Sequence, residues 1–203
     1  YYAANKNYSK AKAYYDKAME LYSNNYQAFN NEAAIDYEQS NTGDAKNLLA
    51  KAVELNSAAP AVNNNLGLIS LKEGDINSAE SYLGKATGAS TSNIALGNLY
   101  VAKGEYEQAE NSFGDAKTNS AALAQILNKD YTKAKTTLSN ISNADAYTSY
   151  LGAILGARTS DASSAVDNLK NAIQKDPSLA KKAAEDLEFA SLASNSDFQS
   201  LVK

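Results

Sequence analysis

Several residue types on which enzymes commonly depend are missing from this sequence. Its 203 residues include no cysteine, no histidine and no tryptophan, and only two prolines. Without cysteine there is no disulfide, thiolate metal site or thiol nucleophile. Without histidine there is neither the usual general base near neutral pH nor the commonest transition-metal ligand. Serine, threonine, lysine, tyrosine and the carboxylates are the only candidates left for catalysis.

These remaining candidates do not form a catalytic pattern. No serine lies in a Gly-x-Ser-x-Gly elbow, and no glycine-rich phosphate loop ends in Lys-Ser or Lys-Thr. The carboxylate pairs Glu105 with Glu107 and Asp186 with Glu188 have the chemistry of an acid and a base. Both pairs, however, lie where a repeat normally exposes solvated charge. We therefore expect no enzyme, no catalytic residue, no cofactor and no metal site.

Charge and hydropathy narrow the class of partner. The net charge is −4, and of the 19 basic residues only Arg158 is arginine. Since clustered guanidinium groups favour phosphate recognition, nucleic acid is not an expected partner. The most apolar run, residues 147–157, is shorter than the roughly 18 residues that span a bilayer, and it contains serine and threonine. We expect no transmembrane segment in this chain.

An internal repeat becomes visible when alanines are aligned. Each copy has an alanine, a larger residue four positions later and, three positions further on, usually a second alanine, which places all three on one helix face. The six copies are Ala11-Tyr15-Ala18, Ala45-Leu49-Ala52, Ala79-Leu83-Ala86, Ala109-Phe113-Ala116, Ala134-Leu138-Ile141 and Ala165-Leu169-Ala172. Because β-branched runs are also few, we predict an all-α chain.

A second pattern, upstream of the first, predicts another helix in each repeat. Its copies are Asn63-Leu66-Gly67-Ser70, Asn93-Leu96-Gly97-Tyr100 and Thr148-Leu151-Gly152-Leu155. Each repeat is thus predicted to contain a first helix and a second helix. Small residues at the glycine and alanine positions let the paired helices approach closely, while the larger residues fill the remaining space.

Together the two patterns resemble the tetratricopeptide family, whose unit places a large residue, Leu-Gly, tyrosine, alanine, an aromatic residue and a late proline at these offsets. The resemblance spans about residues 1–177. It implies an all-α fold, an alpha-alpha superhelix or solenoid of about six degenerate helix pairs, because no repeat can bury its apolar stripe alone. It also implies that residues 178–203 form C-terminal capping helices.

Turn residues mark the boundary between the two helices of a repeat. Gly74 and Gly104, each followed by an acidic residue, fit a left-handed helix end, and we expect Asn41 and Asn128 to fill the same position elsewhere. The repeat alanines are 34, 34, 30, 25 and 31 residues apart. The shortest interval leaves only about two turns for the first helix within residues 119–128.

The amino-terminal end gives its own prediction. Tyr2 stands nine residues before Ala11, as the tyrosine of a first helix would. The first repeat is therefore predicted to be truncated at its N-terminus, with part of the natural protein preceding Tyr1. An apolar stripe left without its partner there predicts self-association through this repeat.

The carboxy-terminal segment carries a further resemblance. Residues 179–192 are predicted to form one amphipathic helix with Ala183, Leu187 and Ala190 on one face. The letters Asp-Leu-Glu-Phe at 186–189, followed by Asp-Phe at 197–198, resemble the closing segment of bacterial cell-envelope repeat proteins. That resemblance implies a periplasmic or outer-membrane-associated protein in a bacterium.

The tetratricopeptide resemblance also implies which residues face the concave groove. They are Gln27, Asn30, Tyr37, Asn64, Leu68 and Asn98. Their amides suit the backbone groups of an extended peptide or the hydroxyls of a sugar, and a tyrosine can bury its ring while keeping a hydrogen bond. The lysines and arginine with which some members clamp a terminal carboxylate are missing at the matching positions.

The favoured interpretation is a non-catalytic scaffold or adaptor that binds a peptide or protein partner in its concave groove. Two alternatives stay open at the level of the sequence. One is a carbohydrate-binding accessory module of a bacterial outer membrane, against which the absence of tryptophan counts. The other is a regulatory repeat domain cut from a larger enzyme.

Overall fold

A computed structural model describes residues 1–86, 88 and 90–203 of the chain. Within those residues every regular element is a helix and none is a strand, which confirms the all-α prediction. The chain divides into two compact units, Tyr1–Leu99 and Tyr100–Lys203. Inside each unit a first helix packs mainly on the second helix that follows it, as the sequence repeat predicts.

The helices follow one another in a regular order. The first unit contains α1 (Tyr8–Leu21), α2 (Tyr26–Glu38), α3 (Thr42–Leu55), α4 (Pro60–Glu73), α5 (Ile76–Lys85) and most of α6 (Ser90–Lys103). The second unit contains α7 (Tyr106–Phe113), α8 (Asn119–Leu127), α9 (Tyr131–Ser139), α10 (Ala146–Arg158), α11 (Ala162–Lys175), α12 (Leu179–Glu185), a 3₁₀ helix (Leu187–Leu192) and α13 (Ser196–Leu201). The even-numbered helices α2 to α10 are first helices, and the odd-numbered helices α1 to α11 are the six predicted second helices.

One turn geometry precedes every second helix. A residue with a left-handed backbone, φ between 57° and 78°, stands immediately before the first residue that caps the helix. The N–H of the capping residue donates to the carbonyl five positions earlier at 2.8–2.9 Å, which closes the end of the preceding helix or, before α1, the preceding turn. The left-handed residues are Lys6, Ser40, Gly74, Gly104, Lys129 and Ser160.

This geometry confirms two turn predictions and corrects two. Gly74 and Gly104 are left-handed as expected. Asn41, however, has φ −84° and caps the start of α3, while Asn128 has φ −77° and ends α8. The prediction for these two was wrong because it followed the residue preference of asparagine. The position of the left-handed residue is set by the buried alanine instead. It lies five residues before Ala45 or Ala134, where the sequence has Ser40 and Lys129.

The amino-terminal turn obeys the same rule. The N–H of Asn7 donates to the carbonyl of Tyr2 at 2.9 Å, just as the N–H of Glu105 donates to the carbonyl of Tyr100. Tyr2 therefore occupies the position that Tyr100 occupies in its repeat, as the sequence spacing predicts.

The core of the first unit is built from the alanine stripe. Ala45, Leu49 and Ala52 of α3 are fully buried and pack with Val62 and Ile69 of α4. On α4, Gly67 allows the next helix, α5, to pack closely, because a Cβ placed on it would lie 2.6 Å from Cγ of Leu83. The expected close approach at the Leu-Gly position is confirmed here.

The core of the second unit surrounds α10. Eight of the thirteen residues of α10 are buried, so this helix is covered on almost all sides. Its Gly156 lies against the backbone of α11, where an added Cβ would stand 2.6 Å from the amide nitrogen of Ala165. The short first helix predicted within residues 119–128 is α8, with nine residues.

Some predicted helix boundaries are wrong. Helix α5 ends at Lys85, α7 at Phe113 and α9 at Ser139. The last members of these three stripes, Ala86, Ala116 and Ile141, therefore lie outside the helices. Residues 179–192 form α12 and a separate 3₁₀ helix, and Leu187 is 88% exposed.

The break after α12 has a packing cause. Phe189 is buried with its ring edge-on to Tyr150 at 5.5 Å between centroids, and it also contacts the ring of Phe198. A continuous α-helix would have turned Leu187 inward, whereas the 3₁₀ segment buries the larger Phe189 and Leu192.

Candidate functional site

A ladder of asparagine side chains connects the three first helices of the first unit. Ser92 Oγ on α6 donates to Oδ1 of Asn64 at 2.7 Å, and Asn65 Nδ2 on α4 donates to Oδ1 of Asn30 on α2 at 2.9 Å. Longer bonds of 3.4 and 3.3 Å within the helices join Asn64 to Asn65 and Asn30 to Asn31. Five polar side chains thus form one continuous hydrogen-bonded row.

The ladder leaves hydrogen-bonding capacity unused. An asparagine amide has two N–H donors and an oxygen with two lone pairs, and each interior member of the row spends one donor and accepts one bond. Asn64 and Asn65 are half-buried and Asn31 is exposed. One N–H of Asn64, one N–H of Asn65 and both N–H groups of Asn31 are therefore available to another polar group.

A second contact between α2 and α4 lies further along both helices. The ammonium of Lys72 lies 4.9 Å from the ring centroid of Tyr37, within the range of a cation–π interaction. Tyr37 is half-buried and packs against the core of the first unit. Its ring is therefore held in place rather than free to rotate.

The two contacts between α2 and α4 share one register. Tyr37 lies seven residues after Asn30, and Lys72 lies seven residues after Asn65. Seven residues are two helical turns, or about 10 Å. The same pair of helices therefore offers amides at one level and a tyrosine ring covered by an ammonium group about 10 Å further along.

The six predicted groove residues do not share one environment. Gln27 and Asn98 are exposed, while Tyr37, Asn64 and Leu68 are half-buried. Asn30 is only 6% exposed, because its amide is enclosed in the ladder. Leu68 lies one turn from Asn64 and one turn from Lys72 along α4, so it lies between the two levels.

Four participants were missed by sequence reasoning. They are Asn31, Asn65, Ser92 and Lys72. The signal was present in the adjacent pair Asn30-Asn31 and in the run 63–65, but a run does not tell which amide meets the next helix. Asn63, for example, is buried and donates to the carbonyls of Ser57 and Ala59, where it holds the start of α4.

Charged side chains on another part of α2 contact α1. The ammonium of Lys12 pairs with buried Asp36 at 2.6 Å, and this bond raises the pKa of Lys12. Burial, followed by the nearby charge of Asp16, raises the pKa of the Glu32 carboxyl. Oε2 of Glu32 has no hydrogen-bond partner among the described residues. These groups join the two helices and take no part in the ladder.

Two further properties bear on what the chain can do. In the part of the chain that the structure describes, no group of three or more acidic side chains is arranged to hold a metal ion. No described helix is both long enough and apolar enough to cross a membrane.

Comparison with known sequences gives one family. The tetratricopeptide repeat profile matches residues 1–25, 60–93 and 90–120. No curated protein sequence matches the chain.

Comparison with solved structures gives the same fold over nearly the whole chain. PilF of Pseudomonas aeruginosa superimposes with a TM-score of 0.70 at 18% identity, over 95% of this chain and 92% of PilF. PilW, a widely conserved type IV pilus biogenesis factor, gives a TM-score of 0.64 at 16% identity, over 94% of this chain and 93% of PilW. YrrB, a repeat protein with an unusual peptide-binding site, gives 0.67 at 17% identity, over 80% of this chain and 92% of YrrB.

Proposed function

This chain is a tetratricopeptide repeat protein, and from that premise we propose that it is a non-catalytic scaffold whose first unit binds an extended peptide segment of a partner protein. The observation that carries the proposal is the asparagine ladder across α2, α4 and α6. An extended peptide presents a backbone carbonyl and N–H at each residue, and side-chain amides can pair with both.

The ladder together with Tyr37, Leu68 and Lys72 forms the proposed peptide-binding face. Its second level supplies an apolar contact. The Tyr37 ring lies about 10 Å beyond the amides and Leu68 lies between the two levels, so a peptide that bonds to the ladder can place an apolar or aromatic side chain against them. Lys72 adds one positive charge at this level. The face therefore favours a neutral or mildly acidic peptide with an apolar residue about 10 Å from its backbone contact.

Fold similarity to YrrB supports the proposal in general terms, since that protein is a repeat protein with a peptide-binding site. The two chains share only 17% identity, so the residues of one site are not transferred to the other. The ladder and the tyrosine of this chain carry the argument by themselves.

A peptide selection tests this function. A random library of linear peptides is selected on the intact chain, and the affinity of the best peptide is then measured for the parent and for two matched variants. Asn65→Ala removes the amide that bridges α4 to α2, and Asn47→Ala removes an exposed asparagine of α3. We expect Asn65→Ala to weaken binding about three- to tenfold and Asn47→Ala to change it less than about twofold.

Thermal melting of both variants accompanies the titration, so that a loss of binding is separated from a loss of folding. Equal effects of the two substitutions, or a selection that yields no peptide, would contradict the proposed site.

For location, we propose the bacterial cell envelope. The closing segment at residues 186–202 supports this, as does the fold shared with PilF and PilW. Fractionation of the native cells followed by immunoblotting decides between the envelope and the cytosol.

A further inference from the structure

The second unit contains a cavity that the peptide-binding proposal does not use. It has a volume of about 640 Å³ and lies between α9, α10 and α11. This size is typical of sites for small molecules. Eight of its sixteen lining residues bear a hydroxyl group, namely Tyr131, Thr132, Thr136, Ser139, Thr148, Ser149, Thr159 and Ser164.

Five of these eight hydroxyl groups already donate a hydrogen bond within the protein. The donors are Thr136 to the carbonyl of Thr132 (3.1 Å), Ser139 to that of Thr136 (2.9 Å), Ser149 to that of Asp145 (3.5 Å), Thr159 to that of Leu155 (2.8 Å), and Thr148 to the carboxylate of Asp145 (2.9 Å). A hydroxyl whose proton is engaged still has a lone pair to offer. The cavity wall therefore presents acceptor oxygens beside donors, the donors being the ammonium of Lys135 and the hydroxyl groups of Tyr131, Thr132 and Ser164.

One side of the cavity is lined by Asn168 and Gly152. Asn168 uses its Nδ2 to donate to the carbonyl of Ser164 at 2.8 Å. Its Oδ1 lies against Gly152, 2.9 Å from the place where a Cβ would stand. A side chain at position 152 would therefore collide with Asn168, and the glycine lets α10 and α11 approach closely here.

Apolar atoms and a balanced charge complete the lining. Leu138, Leu155 and the ring of Tyr131 contribute apolar surface, while Lys135 and Asp161 are one cation and one anion. A phosphate or other polyanion would need several cations, and the lining does not have them. The ligand that fits is uncharged.

We propose that this cavity binds a neutral oligosaccharide. Each sugar hydroxyl both donates and accepts a hydrogen bond, which matches a wall that offers donors and acceptors close together, and the C–H face of a sugar ring packs against Tyr131 and Leu138. A peptide backbone is matched less well, because it carries only one donor and one acceptor per residue, whereas half of the lining residues bear a hydroxyl group.

The test is a titration of the ¹⁵N-labelled intact chain followed by amide chemical shifts. The probes are maltotriose, cellotriose, mannotriose and triacetylchitotriose, with inorganic phosphate as the charged comparison and a Gly-Ser-Thr peptide as the extended comparison. We expect at least one trisaccharide to cause saturable shifts confined to α9, α10 and α11, and phosphate and the peptide to cause none there.

Three variants sharpen the result. Ser149→Gln fills the cavity and should weaken binding at least about tenfold, whereas Ser163→Gln on the exposed surface of α11 should leave it unchanged. Thr136→Val keeps the shape but removes one acceptor oxygen, and should weaken binding about three- to tenfold. Melting curves confirm that each variant is folded.

The proposal is overturned if no trisaccharide gives saturable shifts in these helices, if Ser149→Gln and Ser163→Gln behave alike, or if the peptide binds the cavity more tightly than every sugar. These outcomes are independent of the asparagine ladder, which lies in the first unit.

Discussion

The ammonium of Lys72 lies 4.9 Å from the centre of the Tyr37 ring, two helical turns beyond the hydrogen bond between the side-chain amides of Asn65 and Asn30. The first helices α2 and α4 are thus joined at two levels, once by amides and once by a cation and an aromatic ring. Since both levels are held by contacts within the protein, a peptide bound at the proposed site would meet side chains that are already ordered, which lowers the entropy lost on binding.

Removal of the aromatic ring should weaken peptide binding most. We expect Tyr37→Ala to reduce the affinity of a selected peptide by about 1–2 kcal/mol, because it removes the largest apolar surface of the face. Lys170→Ala, an exposed change on α11, should alter it by less than about 0.5 kcal/mol. Isothermal titration of both variants checks this, and equal losses would place the binding surface elsewhere.

Close helix packing at Gly156 predicts an unusual response to alanine. Alanine normally stabilises a helix relative to glycine by about 1 kcal/mol. In Gly156→Ala the new Cβ would meet the backbone of Ala165 at 2.6 Å, so we expect a net loss of about 1–3 kcal/mol. Gly84 of α5 has no atom within 4 Å of such a Cβ, so Gly84→Ala should be neutral or stabilising. Urea unfolding of the pair decides, and similar behaviour of both variants would refute the packing argument.

The single arginine of the chain connects three elements of the second unit. Arg158 donates from Nε and Nη2 to the two carboxylate oxygens of Glu188, at 2.6 and 2.5 Å, and from Nη1 to the carbonyl of Ile126 at 3.1 Å. Lysine keeps the charge but lacks this planar fork. We expect Arg158→Lys to lower the unfolding free energy by about 1–2 kcal/mol.

The carboxylate partner provides the control for this prediction. Glu188→Gln should destabilise the chain in the same direction, whereas Glu185→Gln, an exposed change at the end of α12, should not. A lysine variant that melts with the parent would show that the charge alone matters.

The buried carboxyl of Glu32 should make stability depend on pH. Burial and the charge of Asp16 raise its pKa in the folded chain above that of the unfolded chain. The folded state therefore binds the proton more tightly, and stability falls as the pH rises from the unfolded pKa through the folded one. Glu32→Gln removes this penalty, and we expect it to stabilise the chain at pH 7 by about 0.5–1 kcal/mol.

The advantage of the glutamine variant should shrink below about pH 4.5, where Glu32 is protonated in both states. Unfolding free energies of parent and variant across this pH range provide the measurement. A constant difference at every pH would contradict a titrating Glu32.

The exposed tyrosines near the amino-terminal end of the chain should cause self-association. Tyr14 and Tyr22 of this region are 62% and 64% exposed, and the Tyr2 ring stacks on that of Tyr14 at 5.3 Å. Clustered exposed rings favour contact with a second copy. Sedimentation velocity over a concentration series should show dimers that Tyr14→Lys weakens, whereas Leu187→Lys, at an exposed leucine of the second unit, should have no effect. A monomer at all concentrations would refute the prediction.

The helical repeat follows from the sequence alone, because repeat patterns are local. A small residue followed four positions later by a large one gives the same buried stripe in any helix of this kind, so the sequence predicts Ala45, Leu49 and Ala52 as core residues. Gly74 and Gly104 were likewise identified as left-handed turns, since glycine alone adopts that conformation at no steric cost.

The left-handed turn residues that are not glycine, and the contacts of the asparagines, depend on how the helices pack in three dimensions. Ser40 and Lys129 have no intrinsic preference for a left-handed backbone, and they adopt it because the helices on either side are fixed by packing. A short amide side chain reaches only its nearest neighbour, so whether Asn65 meets Asn30 depends on the distance and rotation of the next helix. Phe189 replaces Leu187 in the core for the same reason. The ring of Tyr150, 39 positions away in the sequence, packs edge-on with an aromatic ring, and a continued α-helix would not place Phe189 against it.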